Sequence, residues 1–264
     1  MGKAVLLVLS GGQDSTICAY WAKYRLGATE IHGLTFEYGQ LHSIELDAAK
    51  SCADAVDMAS HEIMKLGPVL KGKSPLTNSD EALEQYEDHG SLPGGLEKTF
   101  VPGRNALFLT LAANRAYVLG LNDIITGVCE EDSGGYPDCR QTFIDSQQQT
   151  LRLANEKEFE IHTPLMLMTK AESVQLAMEL PGCYFQLAYS HTSYDGAYPP
   201  TGKDHATLLR EKGFEEAGVP DPLVARAWME GLMMLPSAPN YDWLRDEDPT
   251  TYTLAELCEK AGAK

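Results

Sequence analysis

Apolar runs alternate with helical patterns over residues 1–180 of the chain. The first run, 4–9, is continuous, which is typical of a strand buried on both faces of a parallel sheet. Further apolar runs predict strands at 31–36, 62–66, 123–128 and 159–165. Patterns of helical period predict a helix that begins near 14–15 and continues through 17–26, and helices at 42–56 and 141–154. They also predict a helix that starts at Arg104, with an apolar face from Phe108 to Leu119, and one that opens at Lys170. This alternation predicts an α/β fold with a doubly wound, mainly parallel sheet, whose ligands bind at the carboxyl ends of the strands.

The pattern changes in two places. Between 67 and 98 it weakens into a polar stretch with prolines and glycines, which predicts a long excursion that is either a lid or solvated surface. After Gly182 the composition shifts to tyrosine, glycine and proline, and helices are predicted at 204–218, after Pro222 and at 254–260. We therefore divide the chain into an α/β domain, 1–180, and a helical C-terminal region, 181–264.

Composition narrows the class of protein. With 264 residues and 44% hydrophobic content, the chain can bury a sizeable core. No apolar run approaches the roughly 20 residues of a membrane span, and the N-terminus does not resemble a signal peptide, so we expect a cytoplasmic protein without membrane contact. The net charge of −17 argues against a broad nucleic-acid interface. The sequence leaves the oligomeric state open, with a homodimer as one alternative.

The turn after the first strand carries the strongest chemical signal. It reads Ser10-Gly11-Gly12-Gln13-Asp14-Ser15, and we call these residues the glycine turn. Two glycines let the backbone bend with its amides pointing outward, and the helix that follows adds unpaired N–H groups and a positive dipole end. A phosphate is the ligand that suits such a turn, with the two serine hydroxyls as further donors. No lysine follows the glycines, so this is not a Walker A loop. The alternative is an ordinary glycine-rich turn.

Other polar residues fall on the same rim of the predicted sheet. Gly39 and Gln40 follow the second strand, and Asp132 follows the strand predicted at 123–128. Arg104 stands at the start of a helix, where a cation opposes the helix dipole, so it indicates an anionic partner. A capping box of Thr169 and Glu172 accounts for the helix start there, but it does not account for Lys170 between them.

Four separated motifs resemble known proteins. The glycine turn resembles the PP-loop of N-type ATP pyrophosphatases, a resemblance that implies cleavage of ATP between its α and β phosphates. Together with three further motifs it resembles the 7-cyano-7-deazaguanine synthase (QueC) family over roughly 3–222. The further motifs are Val-Pro-Gly-Arg-Asn at 101–105, Gly-Tyr-Pro-Asp-Cys-Arg at 135–140 and a nearly intact Leu-Thr-Lys-Ala-Glu at 168–172.

The resemblance implies ATP and 7-carboxy-7-deazaguanine as ligands. We expect Mg²⁺ to neutralise the phosphates, with Asp14 either as its ligand or as a group that contacts a ligand of the ion. The predicted catalytic residues are Ser10, Asp14, Ser15, Arg104 and Lys170. The predicted ATP-binding residues are Ser10, Gly11, Gly12, Gln13, Asp14, Ser15, Gly39, Gln40, Arg104 and Lys170. The predicted substrate-binding residues are Asp132, Tyr136, Asp138 and Arg140.

The residue types fit these roles. A carboxylate such as Asp138 can accept hydrogen bonds from the N–H edge of a deazaguanine, and Tyr136 can stack on its ring. Arg104, Arg140 and Lys170 can hold carboxylate or phosphate oxygens. Each also has an alternative interpretation as a surface or ion-paired residue. The six cysteines contain no Cys-x-x-Cys pair, so we interpret them as buried thiols.

One motif departs from the family. The resemblance implies a zinc site of four cysteines in 190–207, but Ser193, Thr201, Asp204 and Thr207 occupy those positions. Hydroxyls are poor zinc ligands, so we expect no structural zinc and hydrogen bonds among the replacements instead. The alternative is a metal site without thiolates, built from His191, Asp204 and His205.

The departure points to a divergent branch and favours one hypothesis about the reaction. QueC-like proteins occur in antiphage systems of the CBASS type, where a deazaguanine is attached to a protein. We therefore predict an ATP-dependent ligase that adenylates the carboxylate of 7-carboxy-7-deazaguanine and forms an amide with an amine, with a protein as the candidate acceptor. The alternatives are the synthase reaction with ammonia, which ends at the nitrile, and an inactive nucleotide-binding scaffold.

Overall fold

Five parallel strands form one sheet in the computed structural model, which describes residues 2–39, 44–78, 80–92, 95–130 and 135–264. The strands are β1 (Lys3–Val8), β2 (Ala28–Glu37), β3 (Ser60–Lys65), β4 (Asp123–Ile125) and β5 (Glu160–His162). Their order is β3-β2-β1-β4-β5. In the central strand, Val5 pairs with Ile31 on one side and with Asp123 on the other. The predicted doubly wound parallel sheet is thus confirmed.

Ten α-helices occur in the described part of the chain. They are α1 (Gln13–Tyr24), α2 (Ile44–Ala55), α3 (Arg104–Val118), α4 (Gln141–Asn155), α5 (Lys170–Glu179), α6 (Cys183–Gln186), α7 (His205–Ala217), α8 (Pro222–Met229), α9 (Asp242–Arg245) and α10 (Leu254–Lys260). Helix α1 starts at Gln13 with Gly12 as its N-cap, within one or two residues of the start that the glycine turn predicts near Asp14 and Ser15. None of these helices is long and apolar enough to cross a membrane.

The two faces of the sheet each carry a hydrophobic core. Alternate side chains of β1 enter different cores: Val5 and Leu7 one, and Leu6 the other. This explains why the first apolar run is continuous. The core around Val5 also contains Tyr184 and Phe214, so the helical C-terminal region packs on that face of the sheet. The division of the chain at residue 180 stays a prediction.

Successive strands are added on one side of β1 up to β3, and on the other side of β1 from β4 onward. Strands β2 and β3 lie on one side of β1, and β4 and β5 lie on the other. The connections that leave the carboxyl ends of β1 and β4 therefore diverge and open a crevice, which is where open α/β sheets bind ligands. Strand β4 ends at Ile125, earlier than predicted, because the chain from Thr126 to Val128 turns along this crevice.

The described part of the excursion at 67–98 contacts the C-terminal region at Tyr86. The backbone N–H of Tyr86 donates to the Lys203 carbonyl at 2.9 Å, and the Tyr86 hydroxyl donates to Glu97 at 3.2 Å. Pro75 and Leu76 border the crevice. The role of the excursion at 67–98 as a lid stays a prediction.

Candidate nucleotide and substrate site

Ser15 closes the glycine turn from inside. Its hydroxyl oxygen accepts from the backbone N–H groups of Ser10 and Gly11, both at 3.2 Å, and donates to the Gly12 carbonyl at 3.2 Å. The Ser10 and Ser15 hydroxyls are themselves 3.0 Å apart. The sequence predicted that these amides face outward. In the structure two of them turn inward, because each buried N–H needs an acceptor and Ser15 supplies one.

The start of α1 is the anion-facing part of the turn. Gly12 caps this 12-residue helix without any side-chain hydrogen bond to its first N–H groups. Those donors and the helix dipole favour an anion at this point. At two glycines near this helix start, neighbouring backbone packs too closely for a side chain. A β-carbon on Gly127 would lie 3.0 Å from the Asp14 carbonyl carbon, and one on Gly11 would lie 2.4 Å from the Glu45 carbonyl oxygen.

Lys170 and Asp14 form an ion pair across the crevice. The Lys170 Nζ lies 2.7 and 2.9 Å from the two Asp14 carboxylate oxygens. Lys170 is the first residue of α5, where Thr169 and Glu172 form the predicted capping box. The capping box fixes the start of α5, and the Lys170 ammonium group extends from there to Asp14 of α1. This pair places one cation and one carboxylate beside the glycine turn.

Arg104 lies among tyrosines at the start of α3. Its guanidinium is 3.5 Å from the Tyr38 hydroxyl, and Tyr136 and Tyr194 are near enough to act on its charge. The Tyr136 hydroxyl is 2.6 Å from the Thr99 hydroxyl, and burial raises the pKa of Tyr136. A cation surrounded by neutral phenols offers a binding place for a carboxylate attached to an aromatic ring.

These groups border one cavity of about 320 Å³. The predicted site residues that line it are Ser10, Gly12, Gln13, Asp14, Ser15, Arg104, Tyr136 and Lys170. Its volume is typical of a small-molecule site. The structure therefore brings most of the predicted residues together, although their individual roles stay predictions.

Four predicted residues of the described part of the chain do not line the cavity. Gly11 and Gly39 belong to its surrounding turns, and Arg140 is exposed. The Asp138 carboxylate accepts from the Asn105 backbone N–H at 3.1 Å, so in this structure it caps α3. The predicted contacts of Gln40 and Asp132 lie outside the described residues.

Sequence reasoning missed several residues that line the cavity, and two of them are Glu45 and Tyr194. Glu45 lies in the first turn of α2, and Tyr194 follows the position of a replaced cysteine. Topology contained a signal for Glu45, because α2 begins where β2 leaves the same rim. Nothing in the sequence pattern around Tyr194 indicated the cavity.

The cysteines are buried thiols, as predicted. All six are free and buried. Cys139 lines the cavity and accepts from the Asn105 side-chain amide at 3.3 Å, while burial raises the pKa of its thiol to about 12. A thiol with such a pKa is a poor nucleophile near neutral pH.

Hydrogen bonds join the four residues that replace the cysteines, as predicted. The Ser193 hydroxyl lies 2.8 Å from Asp204 and 2.6 Å from Asp195. The Thr207 hydroxyl donates to Asp204 at 2.6 Å, and the Thr201 hydroxyl donates to Asp195 at 2.5 Å. Two carboxylates thus hold three hydroxyls, and Asp204 also caps α7 through the Thr207 N–H.

The alternative metal site is not assembled. His191 Nε2 lies 2.9 Å from the Ser193 carbonyl oxygen, and His205 Nε2 lies 3.6 Å from Glu97. Among the described residues, one group of ligand atoms does converge, and it comes from Asp123 of β4 and from Glu160 and His162 of β5, which do not line the cavity. There the Asp123 carboxylate already pairs with Lys3 at 2.9 Å.

We expect the purified protein to fold without zinc. The cluster of Ser193, Thr201, Asp204 and Thr207 satisfies its own hydrogen bonds and offers no thiolate, so removal of metal leaves it intact. Elemental analysis and thermal unfolding before and after dialysis against a chelator measure this. One zinc per chain that survives dialysis, or a lower melting temperature after it, would contradict the expectation.

The fold and the glycine turn define the class: this is a doubly wound parallel α/β protein with a glycine-rich turn at the carboxyl end of its central strand. The sequence profile described as "Queuosine biosynthesis protein QueC" matches residues 3–218, and the chain belongs to that family.

Three relatives carry the name 7-cyano-7-deazaguanine synthase. The protein from Gloeobacter violaceus is 51% identical over 226 residues, which cover 84% of this chain and 95% of the relative. Those from Chromobacterium violaceum and Laribacter hongkongensis are 46% and 44% identical, over 85% and 84% of this chain and 94% of each relative.

Proposed function

We propose that this protein is a 7-cyano-7-deazaguanine synthase, which converts 7-carboxy-7-deazaguanine to the nitrile with ammonia and ATP in queuosine biosynthesis. The observation that carries the proposal is the single cavity that joins the glycine turn to Arg104 and its tyrosines. Relatives of that name match almost their whole length. The intact glycine turn also argues against an inactive scaffold.

The cavity offers separate places for the two substrates. The start of α1 and the Lys170 ammonium suit the phosphates of ATP. Arg104 suits the carboxylate of the deazaguanine, and the Tyr136 and Phe108 rings border the place for its bicyclic ring. Magnesium sites commonly use one or two carboxylates besides nucleotide phosphates, and Asp14 supplies one. The ion would neutralise charge on the phosphates.

The chemistry follows from the weakness of a free carboxylate as an electrophile. One carboxylate oxygen attacks the α-phosphorus of ATP, the bond to the bridging oxygen breaks, and pyrophosphate leaves. Lys170 and the α1 amides stabilise the charge that develops on the phosphates. Ammonia then displaces AMP to form the amide. A second ATP activates the amide oxygen, and loss of AMP leaves the nitrile.

Amide formation with a protein amine, which the sequence favoured, is the weaker alternative. It required replacements in 190–207 that widen the approach to the cavity. Ser193 and His205 do line the cavity, but Ser193, Asp204 and Thr207 are buried and joined by hydrogen bonds. This arrangement fills the place of the metal, so it gives no support for a wider approach.

We expect each nitrile to form with two ATP consumed, as AMP and pyrophosphate. The turn is suited to hold the leaving pyrophosphate and not to position a γ-phosphoryl transfer. Purified protein with ATP, Mg²⁺, ammonium and the carboxy-deazaguanine is analysed by mass spectrometry and nucleotide chromatography. The control omits the carboxy-deazaguanine. ADP as the main product would contradict the adenylation step, and an amide that never proceeds to nitrile would favour the ligase alternative.

A further inference from the structure

Glu45 lies at the point where the glycine turn meets the substrate cavity. It is in the first turn of α2, and its own carbonyl oxygen is the group that a β-carbon on Gly11 would meet at 2.4 Å. It borders the same cavity as Asp14 and Arg104. Glu45 is therefore held by its backbone beside the turn, and it lines the cavity that Asp14 and Arg104 also line.

No hydrogen bond or ion pair joins the Glu45 carboxylate to another residue in the part of the chain that the structure describes. Acidic residues in the first turn of a helix are usually exposed to solvent, and their negative charge interacts favourably with the helix dipole. Glu45 is instead half-buried in the cavity wall, where burial raises its pKa to about 7, although Arg104 acts in the opposite direction. A carboxyl group that gains or loses a proton near neutral pH suits proton transfer.

We propose that Glu45 is the general base that removes protons from the attacking nitrogen, an inference that rests on the proposed function. The placement carries it: a carboxylate without a described partner, in the cavity wall, between the turn that suits phosphates and the arginine that suits the reacting carboxylate.

The proton balance of amide formation assigns one transfer to this group. The ammonia nitrogen bonds to the carboxyl carbon of the acyl-adenylate, and the adduct carries a positive charge on nitrogen. Glu45 takes one N–H proton, the bond from carbon to the AMP oxygen breaks, and the products are amide, AMP and protonated Glu45. Solvent removes that proton before the next step.

Dehydration needs the same group twice. When the amide oxygen attacks the second ATP, pyrophosphate leaves and one N–H proton is removed, which gives an adenylated imidate. Solvent takes the first proton from Glu45. Glu45 then removes the second N–H proton as the bond from carbon to the AMP oxygen breaks and the carbon–nitrogen triple bond forms. Adenylation of the carboxylate itself releases no proton, so Glu45 is not needed there.

The charged and titratable groups around this cavity come from several elements. Besides Glu45 of α2 they are Asp14 of α1, Tyr38 after β2, Arg104 of α3, Cys129 after β4, Tyr136 and Cys139 before α4, Lys170 of α5, His191 and Tyr194 before α7, and His205 and Arg210 of α7. Arg104 is the one of these that acts on the Glu45 carboxylate. Because the base must be ionised, the nitrogen-dependent steps are expected to accelerate as the pH rises through about 7.

The test separates the half-reactions in Glu45→Gln and Glu45→Asp. Carboxylate-dependent exchange of labelled pyrophosphate into ATP measures adenylation without ammonia. Single-turnover formation of amide and nitrile after addition of ammonium measures the nitrogen-dependent steps, at pH 6 to 9. The matched control is Asp47→Asn on the same helix, where the exposed carboxylate contacts Lys50 at 2.8 Å.

For Glu45→Gln we expect exchange within about threefold of the wild type, and nitrogen-dependent steps slower by roughly 10²–10³-fold without the pH dependence near 7. Glu45→Asp is expected to recover part of the rate, and Asp47→Asn to behave as the wild type. A raised KM for the carboxy-deazaguanine with unchanged kcat would overturn the proposal and make Glu45 a substrate contact. Equal loss in both half-reactions would also overturn it. Absence of exchange in the wild type would instead contradict the proposed function.

Discussion

Replacing Lys170 by methionine is expected to lower kcat/KM for nitrile formation by roughly 10³-fold, because the site loses a preorganised cation beside the phosphates. Methionine keeps much of the side-chain length and removes the charge. The Asp14 carboxylate, 2.7 Å from Nζ, then remains beside the nucleotide phosphates without its cation. Repulsion between these negative charges adds to the loss.

Steady-state kinetics with ATP and the carboxy-deazaguanine measure this effect. Lys212→Met is the control, since Lys212 is a half-buried residue of α7 that lies outside the cavity lining and pairs loosely with Glu216 at 3.8 Å. We expect the control to retain wild-type kinetics. A Lys170→Met enzyme within threefold of the wild type would remove this lysine from the mechanism.

Replacing Arg210 by methionine is expected to lower the free energy of unfolding by about 3–5 kcal/mol, because it leaves a buried carboxylate without its partner. Arg210 is 2% exposed and binds both oxygens of Asp221, at 2.6 and 2.8 Å. It also donates to the Ser190 and Thr192 hydroxyls at 2.8 and 3.0 Å. His191, which lies between Ser190 and Thr192 in the chain, donates its backbone N–H to the Gly11 carbonyl at 2.9 Å.

The Arg210 substitution therefore has a second expected effect, a higher KM for ATP, since the segment that supports the glycine turn loses its anchor. Denaturant unfolding and ATP kinetics measure the two effects. Arg25→Met, which breaks an exposed pair with Glu179, is the control and is expected to cost at most about 1 kcal/mol. If both variants unfold at the same denaturant concentration, the buried pair does not stabilise the fold.

Local signals predicted the elements of the fold well. The run at 4–9, the Thr169 and Glu172 capping box and the helix at 254–260 depend on residues within a few positions of each other, so they are visible in the sequence. Strand β4 was predicted too long because Val128 is apolar for a different reason: it packs beside the cavity and not within the sheet.

The sequence predicted which residues belong to the site, but it did not predict which of them contact each other. The sequence singled out Lys170, Asp14 and Arg104 separately, and motifs related them to ATP and a deazaguanine. It could not show that Lys170 reaches Asp14, because 156 positions separate the two in the chain. Nor could it show that Asp138 turns its carboxylate to the start of α3, since that direction depends on the packing of two elements.

The sequence by itself determined the parallel α/β fold, the glycine turn and the loss of the four cysteines, since these depend on short-range patterns and residue identity. Only the tertiary structure decided where the polar side chains point. It turned the Ser15 hydroxyl into the turn, joined Ser193 and Thr207 through Asp204, and placed Glu45 in the cavity wall. The physical reason is that each buried donor or acceptor takes whichever partner packing brings within reach, and that partner is distant in sequence.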